Sequence, residues 1–340
     1  MQAPFRLVPS EELPPGWDPS PAAPELRASA RAVLALPAGT DTRAARRAAR
    51  RLRTVCHRAV VRPFGPDHRA SQGNLDNDRF FGVQRVVGDP LTVLTGATAQ
   101  AYGELLDELD HGGTALETGP LAVLAEGLGS LLAAATGEKP AVLPLPRRAA
   151  DPARAVAEPL RRWRRGHHVF MAMLQGLAVT AGGLTASLRR PAHEDLAGQW
   201  ELLITLLDGS SAALRFTGDF AGLDYLSQVR PLMSDPVVPG GMTGLELRDH
   251  QQFLTRLKLL GRALAESERP GEAAVRGAAR FRGVLARVYT DHGLVCSEFV
   301  GADRASLIAA GGPPAVRVLD RLAESRVRLL PDLTTPPASP

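Results

Sequence analysis

A histidine and a cysteine lie four residues apart near the end of this chain, on one apolar stripe of a predicted helix. Apolar residues recur there at steps of three and four, and His292 falls within their pattern: Phe281, Leu285, Val288, Val295 and Phe299. Cys296 comes one turn after His292. An imidazole so placed is a good axial ligand for haem iron, and a thiol about 5 to 6 Å along the helix would reach the ring edge and add to a vinyl group. From spacing alone the plainer interpretation, a core histidine beside an inert buried cysteine, is favoured because such pairs are common by chance.

A second histidine, His250, lies close to a predicted helix start. Residues 243–246 (TGLE) have the form of a capping box, which predicts that a helix begins there. Leu247, Leu254 and Leu257 then share a face with His250, which places this histidine early in the helix and toward the core. The imidazole is a candidate for a second axial ligand or for an acid or base. The alternative is a core histidine that is satisfied by a carbonyl group.

Two adjacent histidines, His167 and His168, follow a basic run of residues. His167 shares a predicted helix face with apolar side chains and is the better aimed at an interior cavity: Trp163, Phe170, Leu174 and Leu177. His168 lies about 100° away on the same helix. A neutral imidazole in an apolar cavity is a good proton shuttle, because its pKa lies near working pH. The alternative is that residues 161–168 form a solvated surface turn.

Four amide and carboxylate side chains cluster at Asn74, Asp76, Asn77 and Asp78. Such an oxygen-rich run is similar to a cation-binding loop, but it lacks the spacing and the terminal Glu of a calcium loop. We therefore expect an Asx-rich turn in this part of the chain.

Helices must position these side chains, because helical periodicity dominates the chain after Glu25. Long helical or apolar segments are predicted at residues 42–61, 91–109, 121–135, 151–179, 194–207, 244–267 and 272–299, with a short helix around Asp224. Alternation typical of strands is scarce, and residues 200–207 and 213–216 are the best candidates for a small hairpin. The predicted fold class is all-α. One helical domain covers residues 26–330, after a loosely ordered Pro-rich arm (residues 1–25) and before a flexible tail (residues 331–340).

The composition is that of a folded protein. The 340 residues suffice for one large domain or two ordinary ones. Hydrophobic residues make up 44% and charged residues 22%, which excludes global disorder. The two cysteines, Cys56 and Cys296, are too few for a disulfide framework or a cysteine-rich zinc site. The net charge of +4 comes from arginines spread along the chain, and this gives little support for a nucleic-acid partner.

One apolar segment, residues 169–188, is long enough to raise the question of a membrane span. It contains Gln175, several hydroxyl side chains and the pair Gly182-Gly183, so a buried core helix is favoured. The N-terminus lacks the basic start and apolar stretch of a secretory signal, and we expect a cytoplasmic location.

Four blocks of sequence resemble one known family. They are residues 161–171 (RRWRRGHHVFM), residues 76–78 (DND) followed by Phe81-Gly82, residues 242–245 (MTGL) followed by residues 248–250 (RDH), and His292 through Cys296 followed by residues 299–301 (FVG). In this order, over roughly residues 74–330, they resemble the saframycin-pathway 3-methyl-tyrosine hydroxylase group. The resemblance implies a haem-dependent tyrosine hydroxylase. It also implies membership of the predominantly helical superfamily of histidine-ligated haem aromatic oxygenases, which includes tryptophan dioxygenase.

The resemblance also implies roles for individual residues. His292 would be the proximal iron ligand, and Cys296 would form a single thioether to the haem, as in a c-type attachment. The second iron-binding histidine falls on His250, which would have to leave before an oxidant binds. The distal histidine best matches His167, and His168 is the alternative.

The implied reaction is ortho-hydroxylation of the phenol of L-tyrosine, or of a substituted tyrosine such as 3-methyl-L-tyrosine, to a catechol in antibiotic biosynthesis. Hydrogen peroxide would be the oxidant. Tyr225 is a candidate substrate contact, and Arg230 would pair with a haem propionate or the substrate carboxylate. The expected partner is a small aromatic amino acid, neither a nucleic acid nor a membrane. Three rivals remain: a bis-histidine haem protein for electron transfer or sensing, a haem-free basic binding protein, and an indole-ring dioxygenase.

Overall fold

The computed structural model describes residues 3–19, 22–59, 62–146, 158–190, 195–267, 270–300 and 315–333. The helices in these ranges are α1 (Pro24–Leu34), α2 (Thr42–Arg58), α3 (Gln72–Phe81), α4 (Pro90–His111), α5 (Thr118–Thr136), α6 (Pro159–Leu188), α7 (Leu196–Thr217), α8 (Gly222–Asp224), α9 (Arg248–Glu266), α10 (Glu272–Val300) and α11 (Ala315–Val327). Three short strands accompany them: β1 (Phe5–Leu7), β2 (Arg62–Pro63) and β3 (Val83–Val87). The prediction of an all-α fold is confirmed.

Helix α6 is the central element of the core. It begins at Pro159, whose missing backbone N–H is not needed in the first turn. The helix packs against α4, α7 and α9, and α7 in turn packs against α5 and α10. Helices α5 and α6 are long and apolar enough to span a membrane, but 61% and 83% of their apolar windows are buried inside the protein. Their apolar character is thus accounted for by the core.

The N-terminal segment is part of the folded domain, in contrast to the loosely ordered arm that its prolines predicted. β1 pairs with β3 in parallel, with Phe5 opposite Val83, while β2 pairs with β3 in antiparallel orientation. Phe5, Leu7 and Leu13 are buried in the core. The number of prolines suggested a flexible segment, but the burial of these apolar side chains stabilises its ordered conformation. Residues 334–340 of the predicted tail lie outside the described part of the chain.

Helix α7 replaces the predicted hairpin. Residues 200–207 and 213–216 both lie in this one continuous helix, so the hairpin prediction was wrong. Helices α5, α6 and α10 cover α7, so apolar residues occur on several sides of this helix. A sequence of this kind shows no clear helical periodicity and cannot be distinguished from a buried strand by its pattern alone. At the contact with α10, a Cβ on Gly277 would lie 2.2 Å from the Trp200 ring, so the two helices approach closely.

Helix α3 holds the cluster of amide and carboxylate side chains, and the predicted Asx-rich turn was wrong. Its start is a true capping box: the Ser71 hydroxyl accepts a hydrogen bond from the Asn74 backbone N–H at 3.1 Å, and Asn74 Oδ1 accepts one from the Ser71 backbone N–H at 3.1 Å. Gly82 ends the helix in the left-handed region, at φ 67°. The same polar side chains that favour turns therefore begin a helix here.

The capping box predicted at residues 243–246 does not form. Thr243 caps only a 3₁₀ turn, Gly244–Glu246, and α9 begins after it. The Glu246 carboxylate does not return to its own turn. Instead, it accepts a hydrogen bond from the Ser71 hydroxyl of α3 at 2.9 Å. A tertiary contact has replaced the local one.

The basic run at the start of α6 is not a solvated turn. Arg161, Arg162 and Arg165 all donate to the buried carboxylate of Glu108, at distances between 2.7 and 3.1 Å. Arg162 is fully buried and also pairs with Asp219. Because each charge has an opposite partner and hydrogen bonds, the arginines are accommodated inside the domain.

Gly166→Ala should destabilise the fold. A Cβ at this position would lie 2.7 Å from the Cα of Thr217, so α6 and α7 would have to separate. We expect a loss of about 1–3 kcal/mol in the free energy of unfolding, measured by denaturant titration. Gly103→Ala on α4 is the matched control, because nothing lies within 4 Å of the added methyl group. This variant should be neutral or up to about 1 kcal/mol more stable, and equal stabilities of the two variants would contradict the packing argument.

Candidate active site

A cavity of about 340 Å³ lies among the helices that carry the candidate histidines. Helices α3, α6, α7, α9, α10 and α11 line it, together with the segments before and after residues 234–241. Most lining side chains are aliphatic or aromatic, and no Asp or Glu is found among the described lining residues. Three histidines open onto this space: His167, His250 and His292. The interior is thus apolar, with a few nitrogen and oxygen atoms that face a ligand.

His167 presents one defined nitrogen to the cavity. Its Nδ1 lies 2.7 Å from the carbonyl oxygen of Trp163, so Nδ1 carries the proton and donates it. The ring lies between Phe81, stacked at 4.3 Å, and Trp163, at 4.7 Å. Burial lowers the pKa of His167 to about 4, and the neighbouring imidazoles of His168 and His292 lower it further. Neutral at physiological pH, the ring has an unprotonated Nε2 that accepts hydrogen bonds or protons.

His250 lies in the first turn of α9, as its spacing predicted. Burial lowers its pKa to about 4, and the charges of Arg326 and His292 act in the same direction. The preceding residue, Asp249, is fully buried and accepts hydrogen bonds from Arg85, Gln175 and Ser10. The backbone that carries His250 is therefore held by polar groups from the N-terminal segment, β3 and α6.

His292 reaches the same cavity from the opposite part of the chain, on α10. Burial lowers its pKa below the usual value. Its charge also lowers the pKa values of His167 and His250, because all three rings face the same apolar space. Cys296 follows one turn later on α10, but its side chain lies outside the described part of the structure.

His168 lies behind the cavity wall and does not face the ligand space. Its Nδ1 is 2.6 Å from Glu104 Oε2, and its Nε2 is 2.7 Å from the carbonyl oxygen of Phe81. The ring stacks on Phe5 at a centroid distance of 4.2 Å. Both nitrogens are occupied by acceptors, so this histidine supports the position of Phe81, and His167 remains the candidate for distal chemistry.

Arg230 and Tyr225 both line the cavity. Arg230 Nη1 is buried and has no hydrogen-bond partner among the described residues. A buried guanidinium nitrogen without a partner carries a free-energy cost that an anionic ligand would remove. Tyr225 stacks on Phe299 at 5.0 Å and lies 5.2 Å from Trp163, which places it in an aromatic cluster at the edge of the cavity.

The donor set suits a cofactor that brings its own equatorial ligands. No group of three or more His, Cys, Asp or Glu side chains with metal-binding geometry occurs within the described ranges. Two neutral imidazoles, His250 and His292, nevertheless face one apolar cavity, with Arg230 available for a carboxylate. An iron porphyrin needs only axial ligands from the protein and partners for its propionates. The residues present therefore fit a haem group.

Several lining residues with polar groups were not predicted as site residues, among them Asn77 and Tyr289. Asn77 was assigned to a turn, and Tyr289 was not considered, although it lies one turn before His292 on the same helix. The i, i+4 spacing of Asn77 and Phe81 would have placed both on one face, had the helix been recognised.

The comparisons with known proteins identify the class of this helical protein with a histidine-lined cavity as a family of aromatic peroxygenases. The chain belongs to the SfmD 3-methyl-L-tyrosine peroxygenase family, whose family model matches residues 6–276. It is 34% identical over 345 residues to the 3-methyl-L-tyrosine peroxygenase of Streptomyces lavendulae, a match that covers 97% of this chain and 91% of that protein. His292 and Cys296 lie beyond the residues that the family model matches.

A solved structure shows the same fold. It is the crystal structure of reduced SfmD, prepared by soaking with sodium hydrosulfite, and it superposes with a TM-score of 0.69 at 32% identity. The match covers 86% of this chain and 96% of that chain. The family and the helical fold implied by the four sequence blocks are thus confirmed.

The free energy of unfolding should fall as the pH decreases, because the buried His167 ring becomes protonated. Its pKa is 6.5 when unfolded and about 4 when folded, so the unfolded chain binds the proton more tightly. The contribution of the neutral ring is complete above pH 6.5 and is lost between pH 6.5 and 4, by about 1–3 kcal/mol. Denaturant unfolding of the wild type and His167→Phe across this range measures the difference. His68→Phe, at the surface, controls for the loss of one imidazole, and parallel pH profiles for wild type and His167→Phe would exclude the expected linkage.

Proposed function

We propose that this protein is a haem-dependent peroxygenase that hydroxylates the phenol ring of L-tyrosine or a substituted tyrosine, such as 3-methyl-L-tyrosine, at the ortho position to give a catechol. The observation that carries the proposal is the convergence of three neutral imidazoles on one apolar cavity without a carboxylate. The name of the Streptomyces lavendulae relative supports the substrate class and the oxidant, hydrogen peroxide. We further infer a role in antibiotic biosynthesis and a cytoplasmic location.

Two histidines and one cysteine would hold the cofactor. His292 would hold the iron, since its neutral ring offers a lone pair. His250, which faces the same cavity, would be the second ligand and would have to be displaced before the oxidant binds. Cys296, one turn after His292, would form the single thioether that retains the cofactor while His250 is displaced. When bound, the haem iron supplies the redox chemistry that transfers oxygen to an aromatic ring.

His167 is the distal acid and base. With Nδ1–H donating to the carbonyl oxygen of Trp163, Nε2 is free to take a proton from hydrogen peroxide. The same nitrogen then returns that proton to the oxygen that leaves as water, which assists cleavage of the O–O bond. A pKa near 4 makes the ring a weak base that gives the proton back readily.

The cavity walls would orient the aromatic substrate and exclude water. Trp163, Phe81 and Phe170 surround His167 with rings on which a phenol can pack. Arg230 would neutralise a carboxylate, either of a haem propionate or of the amino acid. Tyr225, at the edge of this aromatic cluster, is a further candidate substrate contact.

One alternative uses the same two ligands. With His250 and His292 both bound to iron, the protein would transfer electrons or sense a ligand without converting a substrate. Incubation of the purified protein with hydrogen peroxide and L-tyrosine separates the two functions. Catechol formation, followed by chromatography and mass, supports the peroxygenase; a haem-containing protein that forms none supports the alternative.

Variants of the proposed ligands test the cofactor assignment. Cys296→Ala should bind haem that acid-acetone extracts, whereas wild-type haem should stay with the polypeptide, as measured by absorbance and intact mass. His292→Ala should lose the axial ligand and activity, because no other described nitrogen on α10 faces the cavity. Haem that remained covalently attached in Cys296→Ala would disprove the thioether, and a colourless wild-type protein would disprove haem binding.

His167→Ala should lower turnover far more than haem content. Loss of a positioned acid and base costs about 10²- to 10⁴-fold in rate. The measurements are kcat for catechol formation and the haem-to-protein ratio of the same preparation. Unchanged kcat would show that His167 has no part in proton transfer, and a parallel loss of haem would show a structural role instead.

A further inference from the structure

One buried amide in the cavity has an acceptor without a donor. Asn77 is 3% exposed and lines the cavity from α3. Its Nδ2 donates to the carbonyl oxygen of Gly73 at 2.8 Å, one turn earlier in the same helix. Its Oδ1 receives no hydrogen bond from any residue that the structure describes. Because Oδ1 is not one of the fully buried atoms without a partner, it is accessible from the cavity, and a ligand that donated a hydrogen bond to it in this apolar space would bind more tightly.

The amide is held in one orientation. The bond from Nδ2 to Gly73 leaves Oδ1 as the atom available to a ligand. The next residue, Asp78, pairs with the Arg85 guanidinium at 2.8 Å, which fixes α3 against β3. Because the helix and the amide are both anchored, Asn77 offers a preorganised acceptor.

The contacts of the residues before and after Asn77 place it between His250 and His167. Three residues earlier, Asn74 donates to the carbonyl oxygen of Glu246 at 2.7 Å and to Gln251 Oε1 at 3.1 Å, and Gln251 follows His250 directly. Four residues later, Phe81 stacks on His167 at 4.3 Å. Asn77 therefore lies between His250 and His167, in the part of the cavity where the proposed function places the oxidant and the substrate.

The side chains that line the cavity indicate which group of the substrate donates a hydrogen bond to Asn77 Oδ1. An ammonium group would need a carboxylate to balance its charge, and none occurs among the described lining residues. Phe81, four residues after Asn77, and Phe170 both contact His167, and such aromatic side chains suit the ring end of the substrate. The phenolic O–H on the aromatic ring of the substrate is a neutral donor that meets both conditions.

We propose that Asn77 accepts the phenolic O–H of the substrate and so selects phenols over rings that lack the hydroxyl group. This inference rests on the proposed function and adds the residue that recognises the reacting end of the substrate. With the hydroxyl held by Oδ1, the ortho carbon is fixed relative to the cavity between His250 and His167. A substrate without the hydroxyl leaves the acceptor unpaired, which is an effective basis for discrimination.

Calorimetric titration of the holoenzyme tests the proposal with three probes: L-tyrosine, L-phenylalanine, and 3-(4-hydroxyphenyl)propionate, which lacks the amine. Asn77→Leu removes the acceptor at nearly the same size, and Asn77→Asp keeps an oxygen there. Both variants lose the bond to Gly73, so a defect that they share reports that bond. Because aspartate also adds a charge, 3-(4-hydroxyphenyl)propionate shows whether binding to Asn77→Asp depends on the ammonium group of the amino acid. Haem content and kcat/KM for catechol formation are measured on each preparation.

We expect wild type and Asn77→Asp to bind L-tyrosine about 10- to 100-fold more tightly than L-phenylalanine, and Asn77→Leu to bind the two within about threefold. The kcat/KM of Asn77→Leu should fall by about 10- to 100-fold, with haem content unchanged. Retained preference for L-tyrosine in Asn77→Leu would overturn the assignment. So would a loss confined to probes that carry the amine, since Oδ1 would then hold the ammonium end. Absence of catechol from the wild type would count against the proposed function, and the binding titrations would still decide the role of Asn77.

Discussion

The Arg85 guanidinium, buried between the carboxylates of Asp78 and Asp249, holds the candidate site together. It donates to both carboxylates at 2.8 to 3.0 Å and to the carbonyl oxygen of Val8 at 3.1 Å. These partners belong to α3, α9 and the N-terminal segment. Removing one member would leave an unpaired buried charge, which costs several kcal/mol. The positions of Asn77 and His250, each next to one of the carboxylates, both depend on this arginine.

The carboxylates near the cavity belong to that network, and the described cavity lining contains one guanidinium, Arg230, and no carboxylate. The carboxylates and guanidinium satisfy one another behind the wall, whereas His167, His250 and His292 face apolar side chains. Burial there disfavours the imidazolium form, so each ring keeps a lone pair at physiological pH. Neutral nitrogen donors are what iron ligation and proton transfer from peroxide both need. One physical condition, desolvation, would thus suit three histidines to the two tasks proposed for them.

The helical periodicity of apolar residues predicted the long helices well. It could not predict which side chains would pair with residues far away in the sequence. The stripes at residues 91–109, 121–135 and 272–299 correspond closely to α4, α5 and α10. The predicted segments at residues 151–179, 244–267 and 272–299 placed the three cavity histidines on inward faces. The arginines at the start of α6 were misjudged because their partner, Glu108, lies more than 50 residues away. Asn77 was missed for a local reason, since the capping box that starts α3 uses Asn74 at the third helical position, where Glu or Gln is usual.

The anchoring of Asp249 bears on how His250 would leave the iron. Asp249 accepts four hydrogen bonds from three side chains, and Arg248 pairs with Glu11 and Asp67, so the first turn of α9 is tied to the rest of the domain. A shift of this turn would break several charged contacts at once. Rotation of the imidazole about its own side-chain bonds breaks none of them. If His250 ligates the iron as proposed, its displacement by rotation would break only the hydrogen bond of the ring to the Gly244 backbone and would leave Asn77 in place.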